Sequence, residues 1–382
     1  MTIAEFKPRQ ELEDYEALRH AVRGFLTREL HGRAAPTLAK SWMSFDADFS
    51  RKLGEQGWIG VTLPKRYGGL GAGPFARHVI SEELLAASAP VSAHWIADRQ
   101  SGPLILRYGT EAQRESLLPR ICRGELYFCI GMSEPNAGSD LAAIVTKARR
   151  DGDEWVVNGA KIWTTNAHRS HYMIALVLTG DRVSGRHSGL SQLLIDLSLP
   201  GVQIRPIMDL TGADSFNEVV FTDLRLPADA LIGEEGRGWD QVTAELAFER
   251  SGPERYLSSV ILLRTLIKEV GVNPDATQAS VIGRLVARLC TLRHMSLAVA
   301  AKLQAGEDSV LDAAIMKDIG TAFEQEIPEL AQLLDMAEPT SEGGTAYSQT
   351  LALLMQMAPA FSIRGGTRQI IRGIIARGLG LR

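Results

Sequence analysis

Met132-Ser133-Glu134-Pro135-Asn136-Ala137-Gly138-Ser139-Asp140, followed by Trp163-Thr164-Thr165, is the part of the chain that decides how the rest is read. Each group belongs to a short segment with β-strand character. Each presents hydroxyls, small residues or an aromatic where a strand that only filled a core would alternate apolar and polar side chains.

Working outward, residues 143–148, 155–157, 172–178, 193–197 and 219–221 form short runs rich in β-branched and aromatic residues, separated by turn residues. Asp151-Gly152-Asp153 reads as a hairpin, and Asn158-Gly159 as a second turn. An antiparallel sheet or barrel is expected. Upstream, Leu12, Tyr15, Leu18, Val22, Phe25 and Leu26 recur at helical spacing. Helical patterns resume after a loop at Leu63-Pro64-Lys65-Arg66-Tyr67-Gly68-Gly69-Leu70-Gly71. Downstream of Pro227 the helical pattern returns through Gly233-Glu234-Glu235-Gly236-Arg237-Gly238, with breaks near Val272-Asn273-Pro274 and at 339–344. The expected fold is α+β in three parts: a helical N-terminal domain over 1–125, a middle antiparallel β-barrel domain over 126–231 and a C-terminal helical bundle over 232–382.

A chain of 382 residues exceeds what one hydrophobic core comfortably serves, so several subdomains are expected. The apolar share of 45% and charged share of 23% are those of an ordinary globular protein. A net charge of −4 gives no field to gather nucleic acid, and no stretch reaches membrane-spanning length. Cys122, Cys129 and Cys290 lack metal-ligand spacing and cannot all pair, which suggests thiols in a reducing compartment, the cytoplasm. The first nine residues carry Glu5, Lys7 and Arg9 and no signal-like apolar run, so no targeting address is expected. No metal site is expected.

There is no Gly-x-Gly-x-x-Gly after a strand, no Walker A sequence and no zinc-like His pair. What remains suits a flavin, which needs a flat wall beside its ring, donors to ring heteroatoms, and a tight backbone turn for its pyrophosphate. Trp163 supplies the wall, Ser133 and Thr165 the donors, and Ala137-Gly138-Ser139 the turn.

These segments resemble those of the acyl-CoA dehydrogenases, whose flavin segment reads approximately Thr/Ser-Glu-Pro-x-Ala-Gly-Ser-Asp and then Trp-x-Thr. The resemblance implies FAD, with Met132, Ser133, Trp163 and Thr165 at the ring, Ser139 at the pyrophosphate or the acyl-CoA, and Thr367 and Gln369 at the far half. It also implies an acyl-CoA substrate, an electron-transfer flavoprotein or similar acceptor, and an oligomer. Dehydrogenation needs a carboxylate to take the α-proton. Many members carry it in a C-terminal Tyr-Glu-Gly-Thr segment, where this chain has Gly365 within Arg364-Gly365-Gly366-Thr367. Isovaleryl-CoA and certain steroid acyl-CoA dehydrogenases place it after the β-domain in a Glu-Arg pair, as in Phe248-Glu249-Arg250. On that pattern Glu249 is the base, Arg250 holds acyl-CoA, and the Gly365 N–H polarises the thioester. Glu245, one turn earlier, is the alternative carboxylate. Pro253 should loosen or kink the helix carrying Glu249.

The family's Arg-x-x-Phe-Gly segment, which reaches a neighbouring subunit's FAD, is replaced by Val270-Gly271-Val272-Asn273-Pro274-Asp275. A homo-oligomer (tetramer or dimer) and a heteromer with a related chain both stay open. So do an oxidase, desulfinase or hydroxylase on the same fold, and a non-catalytic partner subunit. Asp98-Arg99-Gln100, on a helix near the end of the N-terminal domain, is read as a structural salt bridge, with a place facing the pocket as the alternative.

Overall fold

The computed structural model describes residues 6, 15–183, 185–249, 252–334 and 336–381, with backbone alone for 244–249. Two compact units emerge: Met1–Asp46, Ala72–Ser92 and Ala247–Arg382 form one, Ala47–Gly71 and Ala93–Leu246 the other. The helices α1 (Glu16–Glu29), α2 (Ala35–Leu38), α3 (Ala47–Glu55), α4 (Pro74–Ala86), α5 (Ser92–Ile96), α6 (Gly102–Tyr108) and α7 (Glu111–Cys122) precede the sheet. After it come α8 (Gly238–Glu249), α9 (Val260–Val270), α10 (Ala276–Gln304), α11 (Val310–Leu333), α12 (Ala346–Phe361) and α13 (Arg368–Gly378). Helical, then β, then helical is the expected order.

The sheet belongs to the second unit. Its strands are β1 (Phe128–Gly131), β2 (Lys147–Asp151), β3 (Glu154–Thr165), β4 (Tyr172–Leu178), β5 (Leu190–Asp196), β6 (Val202–Ile207), β7 (Phe216–Pro227) and β8 (Leu231–Ile232). They run in the order β6-β7-β3-β2-β4-β5-β8, with β1 beside β4. Pairing is antiparallel except β1 with β4 and β2 with β4, which are parallel. Alternation puts Trp155, Val157, Met173, Ala175, Val177, Leu193, Ile195, Val219, Phe221 and Leu224 into one core. Each large apolar side chain buried there contributes roughly 1.5–3 kcal/mol, so this core holds the sheet's register.

Asp151-Gly152-Asp153 is the hairpin expected, with Asp151 opposite Glu154 and Gly152 at φ +62°. Asn158-Gly159 is not a turn. Strand β3 continues through it, and the register against β7 shifts between Val157 and Gly159, where φ is +146°. A Cβ on Gly159 would lie 2.7 Å from the Thr146 Cα, so glycine is there for close approach within a bulge. The Asn158 side chain pairs across to Asp223, accepting from its N–H at 2.9 Å.

In the first unit, Val22, Phe25 and Leu26 of α1 are buried as the periodicity requires, while residues 10–14 lie outside those described. Arg19 is buried with them and donates to Glu82 at 2.7 Å and to Glu83 on α4. Arg293 of α10 joins Glu82 at 2.7 Å. The breaks near 272–274 and 339–344 are helix ends. Asp275 and Thr345 cap α10 and α12 through reciprocal bonds with Gln278 and Ser348. The described part of α8 reaches Glu249, and after residues 250–251, which lie outside those described, Pro253 opens a 3-10 turn, Pro253–Arg255. Asp98 and Arg99 occupy a π-helical turn, Ala97–Ser101, rather than plain α-helix. There Asp98 accepts from the Gly60 N–H at 2.6 Å, and the Arg99 guanidinium lies 4.5 Å from the Trp95 ring centre.

Candidate active site

The residues singled out by sequence fall into two groups, one in each unit. In the sheet unit, β3 loses register between Lys161 and Thr164, and Trp163 takes left-handed backbone at φ +59°. For a non-glycine residue such a conformation costs about 1–2 kcal/mol and persists where the surroundings enforce it. The bulge turns the indole outward, leaving it 58% exposed, edge-on to Phe216 with ring centres 6.1 Å apart. The neighbouring Thr164 is buried and its carbonyl accepts from Asn217 Nδ2 at 3.0 Å, which fixes the bulge from behind.

Met132 and Ser133 follow β1 and lie beside this bulge, because the Ile162 N–H donates to the Ser133 carbonyl at 2.9 Å. Met132 packs on Ala137, Ile144, Leu176 and Leu190. Glu134 and Ala137 exchange backbone bonds of 2.9 and 3.0 Å around Pro135-Asn136. The Ala137 N–H is thus already used within the turn, while Gly138 and Ser139 remain exposed. A side chain on Gly138 would meet open space, so the loop has room for a ligand. Asp140 pairs with Arg186.

Two residues that sequence reasoning passed over hold this wall together. Lys161 is fully buried and donates from Nζ to Glu134 Oε1 at 2.7 Å, to the Leu176 carbonyl at 2.6 Å and to the Met132 carbonyl at 3.4 Å. Glu134 also accepts from the backbone of Val145 at 2.6 Å and Thr146 at 3.0 Å. Burial works to raise the Glu134 carboxyl, but Lys161 and these donors outweigh it and hold it below the usual carboxylate range. Burial pushes the Lys161 ammonium down to about 8 against the pull of Glu134. The pair stays ionised at neutral pH. The signal was present: Trp155, Val157 and Lys161 share the inward parity of β3, and an inward lysine requires a buried partner.

In the helical unit, Gly365 and Gly366 join α12 to α13 with φ of +65° and +97°. Thr367 caps α13, its hydroxyl accepting from the Ile370 N–H at 3.4 Å, and Gln369 is exposed in the first turn. Arg255 lies against the turn: a Cβ on Gly365 would sit 2.7 Å from its Nη2. The space a side chain would need at 365 is therefore filled by a guanidinium. Glu249 is the last described residue of α8; its side chain and that of Glu245 lie outside the described residues, as does Arg250 altogether.

Among the described residues no cluster of His, Cys, Asp and Glu could hold a metal, and no helix is long and apolar enough to cross a membrane. Cys122 and Cys129 are buried thiols pushed up to about 12 by burial, which makes them unreactive. Trp163 and the Gly138-Ser139 turn are exposed, and Ser133 and Thr165 are half-buried, so all of them are accessible at the surface.

Comparison with known proteins gives the family. The models for the N-terminal, middle and C-terminal domains of acyl-CoA dehydrogenase match residues 12–125, 129–224 and 275–380. Acyl-CoA dehydrogenase IpdE1 of Mycobacterium tuberculosis is 34% identical over 387 aligned residues, covering 97% of this chain and 98% of that protein. FadE29 of the same organism is also 34% identical, covering 85% of this chain and 86% of that one. Among solved structures, the Tcur3481-Tcur3483 steroid ACAD superposes with a TM-score of 0.87 at 26% identity, over 99% of this chain and 100% of that one. The ChsE4-ChsE5 complex from Mycobacterium tuberculosis gives 0.85 at 28% identity, over the whole of both chains. Matched by all three domain models and by a relative a third identical over nearly the whole of both chains, the chain belongs to the acyl-CoA dehydrogenases, a family of flavoproteins, and is an oxidoreductase acting on acyl-CoA.

Proposed function

We propose that the chain binds FAD and uses it to remove hydrogen from the α and β carbons of an acyl-CoA thioester. The observation that carries this is Trp163, an indole turned outward by a strained bulge whose backing, Lys161 with Glu134, is buried and fully bonded. When bound, FAD supplies the acceptor for the β-hydrogen and its electron pair. Met132, Ser133, Trp163 and Thr165 orient the ring; Ser139 serves the pyrophosphate or the acyl-CoA; Thr367 and Gln369 serve the far half of the cofactor. Glu249 takes the α-proton and Arg250 holds the acyl-CoA. The Gly365 N–H donates to the thioester carbonyl, favouring the charge that builds on oxygen as the α-proton leaves.

The guanidinium of Arg255 against Gly365 supports a base on α8 rather than at the C-terminal position, since a side chain at 365 would have to displace it. An electron-transfer flavoprotein or similar acceptor then takes the electrons, in the cytoplasm. Three domains, 1–125, 126–231 and 232–382, carry the work. A related chain as partner is favoured over a homo-oligomer, because ChsE4-ChsE5 is itself a complex of two chains. The steroid ACAD among the neighbours makes thioesters with bulky ring systems the first substrates to try. Purified protein loaded with FAD, mixed anaerobically with a panel of linear, branched and ring-bearing acyl-CoA thioesters, should lose its yellow colour with at least one of them. A flavin that stays oxidised with every thioester and reacts only with another substrate or with oxygen would replace this reading by an oxidase, desulfinase or hydroxylase.

A further inference from the structure

The turn between α12 and α13 is fixed by more buried charge than a helix connection requires. Arg255, 2% exposed, lays its guanidinium against Gly365, so close that a Cβ there would lie 2.7 Å from Nη2 and 3.2 Å from Cζ. Lys317 of α11, 1% exposed, donates from Nζ to the Gly366 carbonyl. Arg364 donates from Nη2 to the Glu254 carbonyl, Ser258 Oγ and Glu324 Oε2, each at 2.7 Å, and its guanidinium lies 4.3 Å from the centre of the Trp42 ring. Glu324 is itself fully buried and accepts from the Ser258 N–H at 2.8 Å. Two cations, Arg255 and Lys317, therefore converge on residues 364–366, while Arg364 of the same turn is paired with the Glu324 carboxylate.

Burying a guanidinium or an ammonium carries a desolvation cost of several kcal/mol, and joining two helices needs none of it. Two successive glycines at positive φ, however, leave the peptide planes between them free to turn. Arg364 anchors the chain on one side of the 364–365 peptide, Lys317 holds the carbonyl on the other side of the turn, and Arg255 closes the space between. The group so fixed is the Gly365 N–H. Cations this close also favour negative charge developing nearby in a medium of low dielectric.

We propose that Arg255 and Lys317 are positioning residues for the reaction: they lock the 364–366 turn so that the Gly365 N–H keeps the one orientation in which it donates to the thioester carbonyl. This rests on the acyl-CoA dehydrogenase reading above. The test uses the FAD-loaded protein and Arg255→Met, Arg255→Lys, Lys317→Met and Lys317→Arg. FAD content and melting temperature are checked first; flavin reduction is then followed anaerobically at saturating acyl-CoA, with the α-carbon carrying hydrogen or deuterium.

Loss of one oxyanion donor costs about 100–1000-fold, and a donor left in place but loosened should cost less. The Met variants should reduce flavin about 10–100-fold more slowly, with KM little changed and a larger α-deuterium isotope effect, because α-proton removal becomes the slower step. Arg255→Lys and Lys317→Arg should recover part of the rate. Folded, FAD-containing Met variants that reduce at the wild-type rate, or slow down with an unchanged isotope effect, would overturn the proposal. If the Met variants do not fold, the conservative variants decide, since a wild-type rate and isotope effect in both would overturn it equally. Failure of the underlying reading looks different: the wild-type flavin itself would not be reduced by any acyl-CoA.

Discussion

Lys161→Met would remove the cation that ties β3 to the Met132–Glu134 segment while leaving Glu134 buried at 5% exposure. Three bonds vanish with Nζ: to Glu134, to the Leu176 carbonyl and to the Met132 carbonyl. Stripping one partner from a buried ion pair costs about 3–5 kcal/mol. Glu134 keeps its two backbone donors, Val145 and Thr146, so the lower end, about 3 kcal/mol, is expected. The pH dependence carries the sharper signature. Without Lys161, burial raises the folded-state pKa of the Glu134 carboxyl above its unfolded value, so the variant is least handicapped at low pH and loses ground as pH rises. Urea unfolding of the variant, followed at pH 5 and pH 8, should show the deficit grow with pH. Adding Glu134→Gln removes the stranded charge and should return most of the loss. FAD should also bind about tenfold more weakly, the equivalent of about 1.4 kcal/mol, because Met132 loses its anchor. A Lys161→Met protein within about 1 kcal/mol of wild type at pH 8, with parallel pH curves, would refute the assigned role of the pair, since that is below the range for a broken buried pair.

Trp163→Gly should relieve the left-handed strain and stabilise the apoprotein by about 1 kcal/mol while weakening FAD binding, a split readable by paired melting and FAD titration. Gly365→Ala sets an alanine at φ +65° and pushes on Arg255, so a stability loss of at least about 1–2 kcal/mol and slower flavin reduction are expected, checked by urea unfolding and anaerobic reduction. His78 is buried and its pKa is lowered to about 4, chiefly by burial, with Glu82, Glu254, Arg293 and Arg19 nearby. As pH falls from about 6.5 to about 4 the unfolded chain takes up this proton before the native one, so stability should fall by up to about 3 kcal/mol. His78→Gln should flatten that part of the stability profile.

The sheet was legible because its signals are local: the Asp151-Gly152-Asp153 hairpin and the alternation around Trp155 need no distant partner to be read. Helix ends at Asp275 and Thr345 were legible as interruptions for the same reason. Asn158-Gly159 misled because a turn and a bulge use the same residues, and only the approach of Thr146 distinguishes them. Met132, Ser133 and Trp163 were singled out by type and spacing, and the structure makes their segments neighbours through the Ile162 to Ser133 bond. The backing layer was not found, because Lys161 with Glu134, and Arg255 with Gly365, are pairings across long stretches of chain whose partners cannot be chosen from one strand's pattern. The bond of the Ala137 N–H to the Glu134 carbonyl was not legible for a related reason: it depends on how the Pro135-Asn136 turn closes.

The central claim is an FAD-dependent dehydrogenation with its base on α8, and Glu249→Gln tests it most directly. Mixed anaerobically with an acyl-CoA that reduces the wild-type flavin, the variant should bind FAD and the thioester normally and keep its flavin oxidised, with reduction slowed by at least about 100-fold for loss of the general base. A Glu249→Gln protein that retains FAD and is reduced at the wild-type rate would contradict the account.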